Sequence, residues 1–183
     1  MSDEKDALSN VTSEPYFREV DGYPSILNDL FQSKKRVNRF EYVSWSKREF
    51  DLPTRASKES AGYDFHSPID GCIEPGAVIE FSLEVKVQVK PGEFLFIPPR
   101  SSLGFKGDNH VALTNTVGVI DSDYYNNFEN EGEIRLKLKN FGDKPFYFKK
   151  NDRLVQGIFL YFDVTEDDEV ETLRHGGLGS TGN

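Results

Sequence analysis

The chain has 183 residues and a formal net charge of −9 at pH 7, which suits one domain with a real core plus some surplus sequence. The acidic balance argues against direct nucleic-acid binding, whose footprint is a basic patch, but leaves room for a nucleotide, because a few local arginines suffice for one triphosphate. Cys72 is the only cysteine, which excludes an intrachain disulfide and a cysteine-based zinc site; without a signal-peptide pattern or a membrane-spanning apolar run, a reducing, cytoplasmic setting is expected.

Residues 1–37 read as an N-terminal extension. Residues 1–14 are polar and acidic, and Ser25 to Lys35 places Ile26, Leu27, Leu30 and Phe31 at helical spacing, with Ser25 as an N-cap. Such an amphipathic helix packs either on its own domain or on a partner protein. From 38 to 163 the signals are those of a β core. Phe40 to Trp45, Val78 to Val89 and Glu133 to Phe141 alternate, while FLFIPP and RLVQGIFLYF are apolar runs suited to buried strands. Turn signals fall at Asp70-Gly71, Pro75-Gly76, Pro91-Gly92 and Gly142 to Pro145. Short strands with regular turns predict an all-β fold of jelly-roll type. Residues 164–183 read as an acidic linker followed by a glycine-rich arm.

Several segments carry chemistry. In NTVGVIDSDYYNN (Asn115 to Asn127), Asp121 and Asp123 open what reads as a hairpin turn; Tyr125, Asn126 and Gly132 stand where an EF-hand loop needs a ligand, a glycine and a Glu, so that calcium reading fails. Turn chemistry alone also accounts for such a pair. In PPRSSLGFK, Arg100 offers a fork to phosphate beside the hydroxyls of Ser101 and Ser102. Asp64 ends a loop as a strand begins, and Gln156 is a polar residue in an otherwise apolar strand near Arg153. Gly177, Gly179 and Gly182 have the spacing of a dinucleotide loop, but neither the following helix nor a P-loop lysine is present. What remains is a mobile, donor-rich tail rooted at Arg174.

Taken in order, AGYD, PRSS, NTVGVIDSDYY, RLVQ and RHGGLGSTG resemble the motifs of the trimeric dUTPases, over about residues 39 to 182, and LPTRASKESAGYD extends the match upstream. The DYYNN variant with downstream NEGEI is similar to forms from Gram-positive bacteria or their phages. The resemblance implies a jelly-roll (β-clip) homotrimer whose active sites lie between subunits, with the C-terminal arm closing over a neighbour's site. It implies that Asp121 is the general base activating water for attack on the α-phosphorus of dUTP. Asn115, with backbone groups around Gly118, Val119 and Ile120, reads uracil, and Tyr124 packs under the deoxyribose and rejects a 2′-hydroxyl. Arg100, Ser101, Ser102 and Gln156 meet the phosphates. Arg174, Gly177, Gly179, Ser180 and Thr181 clamp them as the arm orders, with Leu178 over the base. Asp64 and Arg153 support the site, Asp64 toward metal-bound waters or the sugar, and Mg2+ is held by the triphosphate and water without a direct protein ligand.

Two positions depart from the family pattern. Asn126 replaces a common glycine, which predicts a different local backbone, and Leu178 replaces an aromatic that stacks on uracil. Two other functions compete. A dCTP deaminase of the same fold would need proton-shuttling side chains where Phe105 and Lys137 stand. A regulatory protein of this fold would bind a repressor or other partner, with residues 1–37 as the added surface, yet it would be expected to lose Asp121 or Arg174. A missing stack is worth about 0.5–1.5 kcal/mol. Leu178→Phe should therefore lower the KM for dUTP several-fold in steady-state assays, and an unchanged KM would remove the missing stack as a constraint.

Overall fold

The computed structural model describes residues 38–104, 110–170, 172, 174 and 176–177. The expected helix in residues 1–37, Phe105, and Leu178, Gly179, Ser180 and Thr181 of the arm lie outside the described residues.

Among the described residues twelve strands follow one another: β1 (Arg39–Tyr42), β2 (Thr54–Arg55), β3 (Tyr63–His66), β4 (Gly71–Ile73), β5 (Val78–Ser82), β6 (Val85–Gln88), β7 (Glu93–Ile97), β8 (Val111–Leu113), β9 (Gly118–Ile120), β10 (Arg135–Asn140), β11 (Phe146–Phe148) and β12 (Arg153–Tyr161). One helical turn, α1 (Ser101–Gly104), and a 3-10 turn at Ser122–Tyr124 interrupt them. The strands form a five-stranded sheet in the order β2-β3-β12-β7-β9, a three-stranded sheet β5-β10-β8, and the pairs β1-β6 and β4-β11. Every pairing is antiparallel. This is the all-β jelly roll that the strand and turn pattern predicts.

Alternation explains which faces close the core. In β10, Leu136 and Leu138 turn inward while Arg135 and Lys137 face out. Val85 and Val87 do the same in β6, as do Leu95 and Ile97 in β7. These side chains join Phe65, Leu83, Leu154 and Val155 in one buried cluster.

The alternating run Val78 to Val89 is not one strand. Glu84 sits at φ 52, a left-handed conformation, and its N–H donates to Ser82 Oγ at 2.8 Å. The chain turns there, so β5 pairs with β10 while β6 leaves to pair with β1. Alternation reports burial on both sides of such a corner and is blind to it.

β12 is the longest strand and lies between β3 and β7. Gly157 at its middle has no room for a side chain: a Cβ would lie 2.8 Å from Phe65 Cε2 and 2.9 Å from Leu95 Cδ1. Both neighbours are fully buried, so neither has space to retreat. Overpacking of this kind costs about 1–3 kcal/mol. Gly157→Ala should lower the midpoint of urea unfolding accordingly, and an unchanged midpoint would contradict tight packing at this strand.

Candidate active site

The first cleft grows out of strand register. On β12 and β3, Gln156 stands opposite Asp64, and a register shift between Arg153 and Val155 brings Arg153 opposite His66. A bridge between Pro99 and Val155 carries the chain after β7 across β12 and delivers Arg100 to the same place. Asp64 is buried, and a buried carboxylate must be paired. Its Oδ1 accepts from Arg100 Nε at 2.8 Å and its Oδ2 from Arg153 Nη1 at 3.2 Å. Arg100 Nη1 also donates to the Arg153 carbonyl at 3.2 Å. Asp64 therefore orients two guanidinium groups, and both its oxygens are engaged in doing so.

Ala56, Ser60, Ala61, Gly62, Asp64, Arg100, Ser101, Gln156 and Ile158 line this cleft. Gln156 fits there because residue 62 is glycine, whose Cβ would come within 2.6 Å of Gln156 Oε1. Ser101 lines the cleft from the first residue of α1, whereas Ser102 and Arg153 do not line it. Ser101 and Ser102 thus open a helical turn pinned by buried Leu103, with Arg100 just before it.

A second cleft of about 290 Å³ lies between β9, the turn after β8 and the β10 face. Its size is near the lower bound for small-molecule pockets, about 300 Å³. Asn115, Gly118, Val119 and Ile120 line it, as expected from the sequence, together with Ile97, Leu113, Thr114, Ile134 and Leu136. Glu80, Arg135 and Lys137 complete the lining, with Glu80 held by ion pairs to Arg135 at 2.9 Å and Lys137 at 3.2 Å. Gly118 packs against Ile97, where a Cβ would approach to 3.3 Å. The two clefts share no lining residue.

Asp121 follows β9 directly. It takes the N-cap place of the 3-10 turn in an extended conformation, but its side chain makes no capping hydrogen bond and is half exposed. The expected hairpin turn is this 3-10 turn. Tyr124 lies on the same turn with its ring buried. Its hydroxyl donates to the Glu133 carbonyl at 2.9 Å and accepts from Asn130 Nδ2 at 2.8 Å. Burial pushes the Tyr124 phenol up from its ordinary range.

The loop behind it is tied down at several points. Asn127 Nδ2 donates to the Tyr124 carbonyl and to Asn130 Oδ1, and Asn130 Oδ1 accepts the Gly132 N–H. Gly132 adopts φ 81 with the Tyr124 carbonyl 2.7 Å from where a Cβ would be, so only glycine fits. Asn126 adopts φ 57, a left-handed conformation that asparagine tolerates, which is how it stands in place of a glycine. Hydrogen bonds from Ser44 and the Lys86 ammonium hold the Glu131 carboxyl below its usual range and fasten the loop to β6.

The root of the arm is folded onto this turn of its own chain. Arg174 Nη2 donates to Asp121 Oδ2 at 2.9 Å and Nε to Asp123 Oδ1 at 3.1 Å. Its guanidinium lies 5.5 Å from the Tyr124 ring centroid. Nη1 reaches the Gly177 carbonyl at 3.2 Å, and the Gly177 N–H donates to Glu129 Oε2 at 2.7 Å. Sequence reasoning brought Asp121, Tyr124, Arg174 and Gly177 forward but missed Glu129 and Asn130. The partner of Glu129 lies 48 residues away, outside any local spacing, while Asn130 bonds within its own loop, where the glycine and asparagine content of NNFENEG marks an ordered turn. Among the described residues no group of three or more His, Cys, Asp or Glu side chains is arranged to hold a metal ion, and no helix is long and apolar enough to cross a membrane.

A family model described as dUTPase matches residues 48–182. Deoxyuridine 5'-triphosphate nucleotidohydrolase of Lactococcus lactis is 37% identical over 150 residues, which cover 80% of this chain and 99% of that protein. The Haemophilus ducreyi protein of the same name is 36% identical over 143 residues, covering 74% of this chain and 89% of that one. Among solved structures, the dUTPase from Streptococcus mutans superposes with a TM-score of 0.64 at 37% identity, covering 69% of this chain and 98% of that one. The Staphylococcus bacteriophage 80alpha dUTPase matches with a TM-score of 0.59 at 18% identity, covering 76% of this chain and 99% of that one, a likeness of fold alone. With the family model spanning most of the sequence and a relative matched almost end to end, this chain belongs to the dUTPase family.

Proposed function

We propose that the chain hydrolyses dUTP to dUMP and pyrophosphate. The observation that carries this reading is the half-exposed Asp121 carboxylate, directly after the strand that lines the second cleft and paired with Arg174 of the arm. In this reading Asn115 and the backbone of Gly118 to Ile120 hold the uracil edge. Tyr124, its hydroxyl held by two hydrogen bonds and its ring buried, gives the sugar a rigid wall that leaves no room for a 2′-hydroxyl. Water attacks the α-phosphorus in line, Asp121 takes its proton, the bond from the α-phosphorus to the bridging oxygen breaks, and pyrophosphate leaves.

Arg100, Ser101 and Gln156 receive phosphate oxygens in the other cleft. Asp64 keeps Arg100 aimed, so the guanidinium is preorganised before the anion arrives. Because the clefts share no lining residue, the reading assigns each complete site to two or more copies of the chain, in a homotrimer. Arg174, Gly177, Ser180 and Thr181 close over the phosphates, and Leu178 covers the base.

Mg2+ fits this arrangement as a companion of the substrate. Both Asp64 oxygens already belong to arginines, and the rest of the phosphate cleft offers guanidinium, hydroxyl and amide groups, so the triphosphate and water would supply the metal's ligands. Bound there, the ion would offset part of the negative charge on the phosphates.

A pyrophosphate-release assay across nucleotides tests the reading. Turnover of dUTP with little of UTP, dCTP or dTTP is expected, and comparable turnover of UTP would overturn the role of Tyr124. Asp121→Asn should lower kcat by about 10²–10⁴-fold while retaining affinity for a non-hydrolysable dUTP analogue. A near-normal rate would remove Asp121 as the base.

A further inference from the structure

Among the described residues of the arm, the groups that would bind phosphate, the Arg174 guanidinium and the Gly177 N–H, already meet carboxylates. Arg174 is only 11% exposed, and three of its nitrogens are engaged: Nη2 by Asp121, Nε by Asp123 and Nη1 by the Gly177 carbonyl. The Gly177 N–H, a donor of the kind that cradles an anion, points at Glu129 instead. Gly177 is buried against Glu129 and Asn130; a Cβ would lie 2.8 Å from Glu129 Oε2 and 3.4 Å from Asn130 Nδ2. The guanidinium covers the ring of Tyr124 and pairs with Asp121. Those are the groups the sugar and the attacking water need.

We infer that Glu129 is a positioning residue that latches the root of the arm in the substrate-free chain, its carboxylate standing in for a phosphate at the Gly177 N–H and so holding Arg174 across Asp121 and Tyr124. The latch is self-consistent in charge. Three carboxylates, on Asp121, Asp123 and Glu129, supply the anionic oxygens that a triphosphate would supply later. A substrate binds by exchanging its own oxygens for these, and the exchange frees Asp121 and uncovers Tyr124 together. Glu129 contributes through its side chain alone, since its backbone N–H is held separately by Asn127 Oδ1. Its side chain is exposed, so removing the carboxylate leaves the loop intact.

Trypsin cleavage after Arg174 reads the latch without substrate. In the full-length, ligand-free protein, Glu129→Ala should speed cleavage at Arg174 about three- to tenfold relative to cleavage at other sites, with Glu129→Gln intermediate and both variants unchanged in thermal midpoint. Equal cleavage rates in wild type and Glu129→Ala would overturn the latch. The kinetic half of the inference rests on the dUTP reading. Glu129→Ala should lower the KM for dUTP several-fold at unchanged kcat, because entry no longer competes with the latch, whereas a raised or unchanged KM would overturn occlusion. Absence of dUTP turnover in the wild type would overturn the proposed function, and the cleavage rates would still decide the latch.

Discussion

The placement of β12 between β3 and β7 is the constraint on which the rest of the site depends. Through β7 it fixes β9, whose residues line the second cleft and whose last residue leads into Asp121. Through β3 and the Pro99 bridge it fixes Asp64, Gln156 and Arg100 as neighbours. Gly157 makes this possible, because Phe65 and Leu95 meet over it with no space for a methyl group. One closely packed strand thus sets the position of two clefts made of different residues.

Charge is managed locally in a chain that is acidic overall. Arg100 and Arg153 share Asp64, and Arg174 shares Asp121 with Asp123. Paired in this way, the arginines are oriented before any ligand arrives, at the cost of partners that the ligand must replace. The two groups differ in burial. Asp64 is nearly sequestered, so its pairs are part of the fold, whereas Asp121 and Asp123 are about half exposed and their pairs are screened by solvent. The first set suits a fixed phosphate platform and the second a contact that exchanges.

Much of this was legible in the sequence where the relevant physics is local. The alternation of Arg135 to Asn140, the turn at Pro91-Gly92 and the polar Gln156 in an apolar strand all appear as read. The corner at Glu84 was not legible, because alternation continues through it while the pairing partner changes. The turn after Ile120 was placed correctly but read as a hairpin, since Asp and Ser favour either geometry. Asn126 stands at a left-handed φ, a conformation that glycine and asparagine both tolerate. The Glu129 contact and the double engagement of Asp64 depend on partners tens of residues away, which no local spacing encodes, whereas Asn130 bonds within its own loop. The dUTPase-like motifs carried the function, since composition and periodicity alone reach only an acidic all-β domain.

In the proposed function the two clefts of one chain serve different active sites, each completed by a neighbouring copy. Mixing two impaired variants tests it most directly. Arg100→Ala disables the phosphate cleft and Asp121→Asn the hydrolytic turn, and each preparation alone should turn over dUTP poorly. After the two are unfolded together and refolded, random assembly pairs an intact half with an intact half in about a quarter of the sites, so about a quarter of wild-type turnover should return. Turnover no greater than the sum of the separate variants would contradict a shared site.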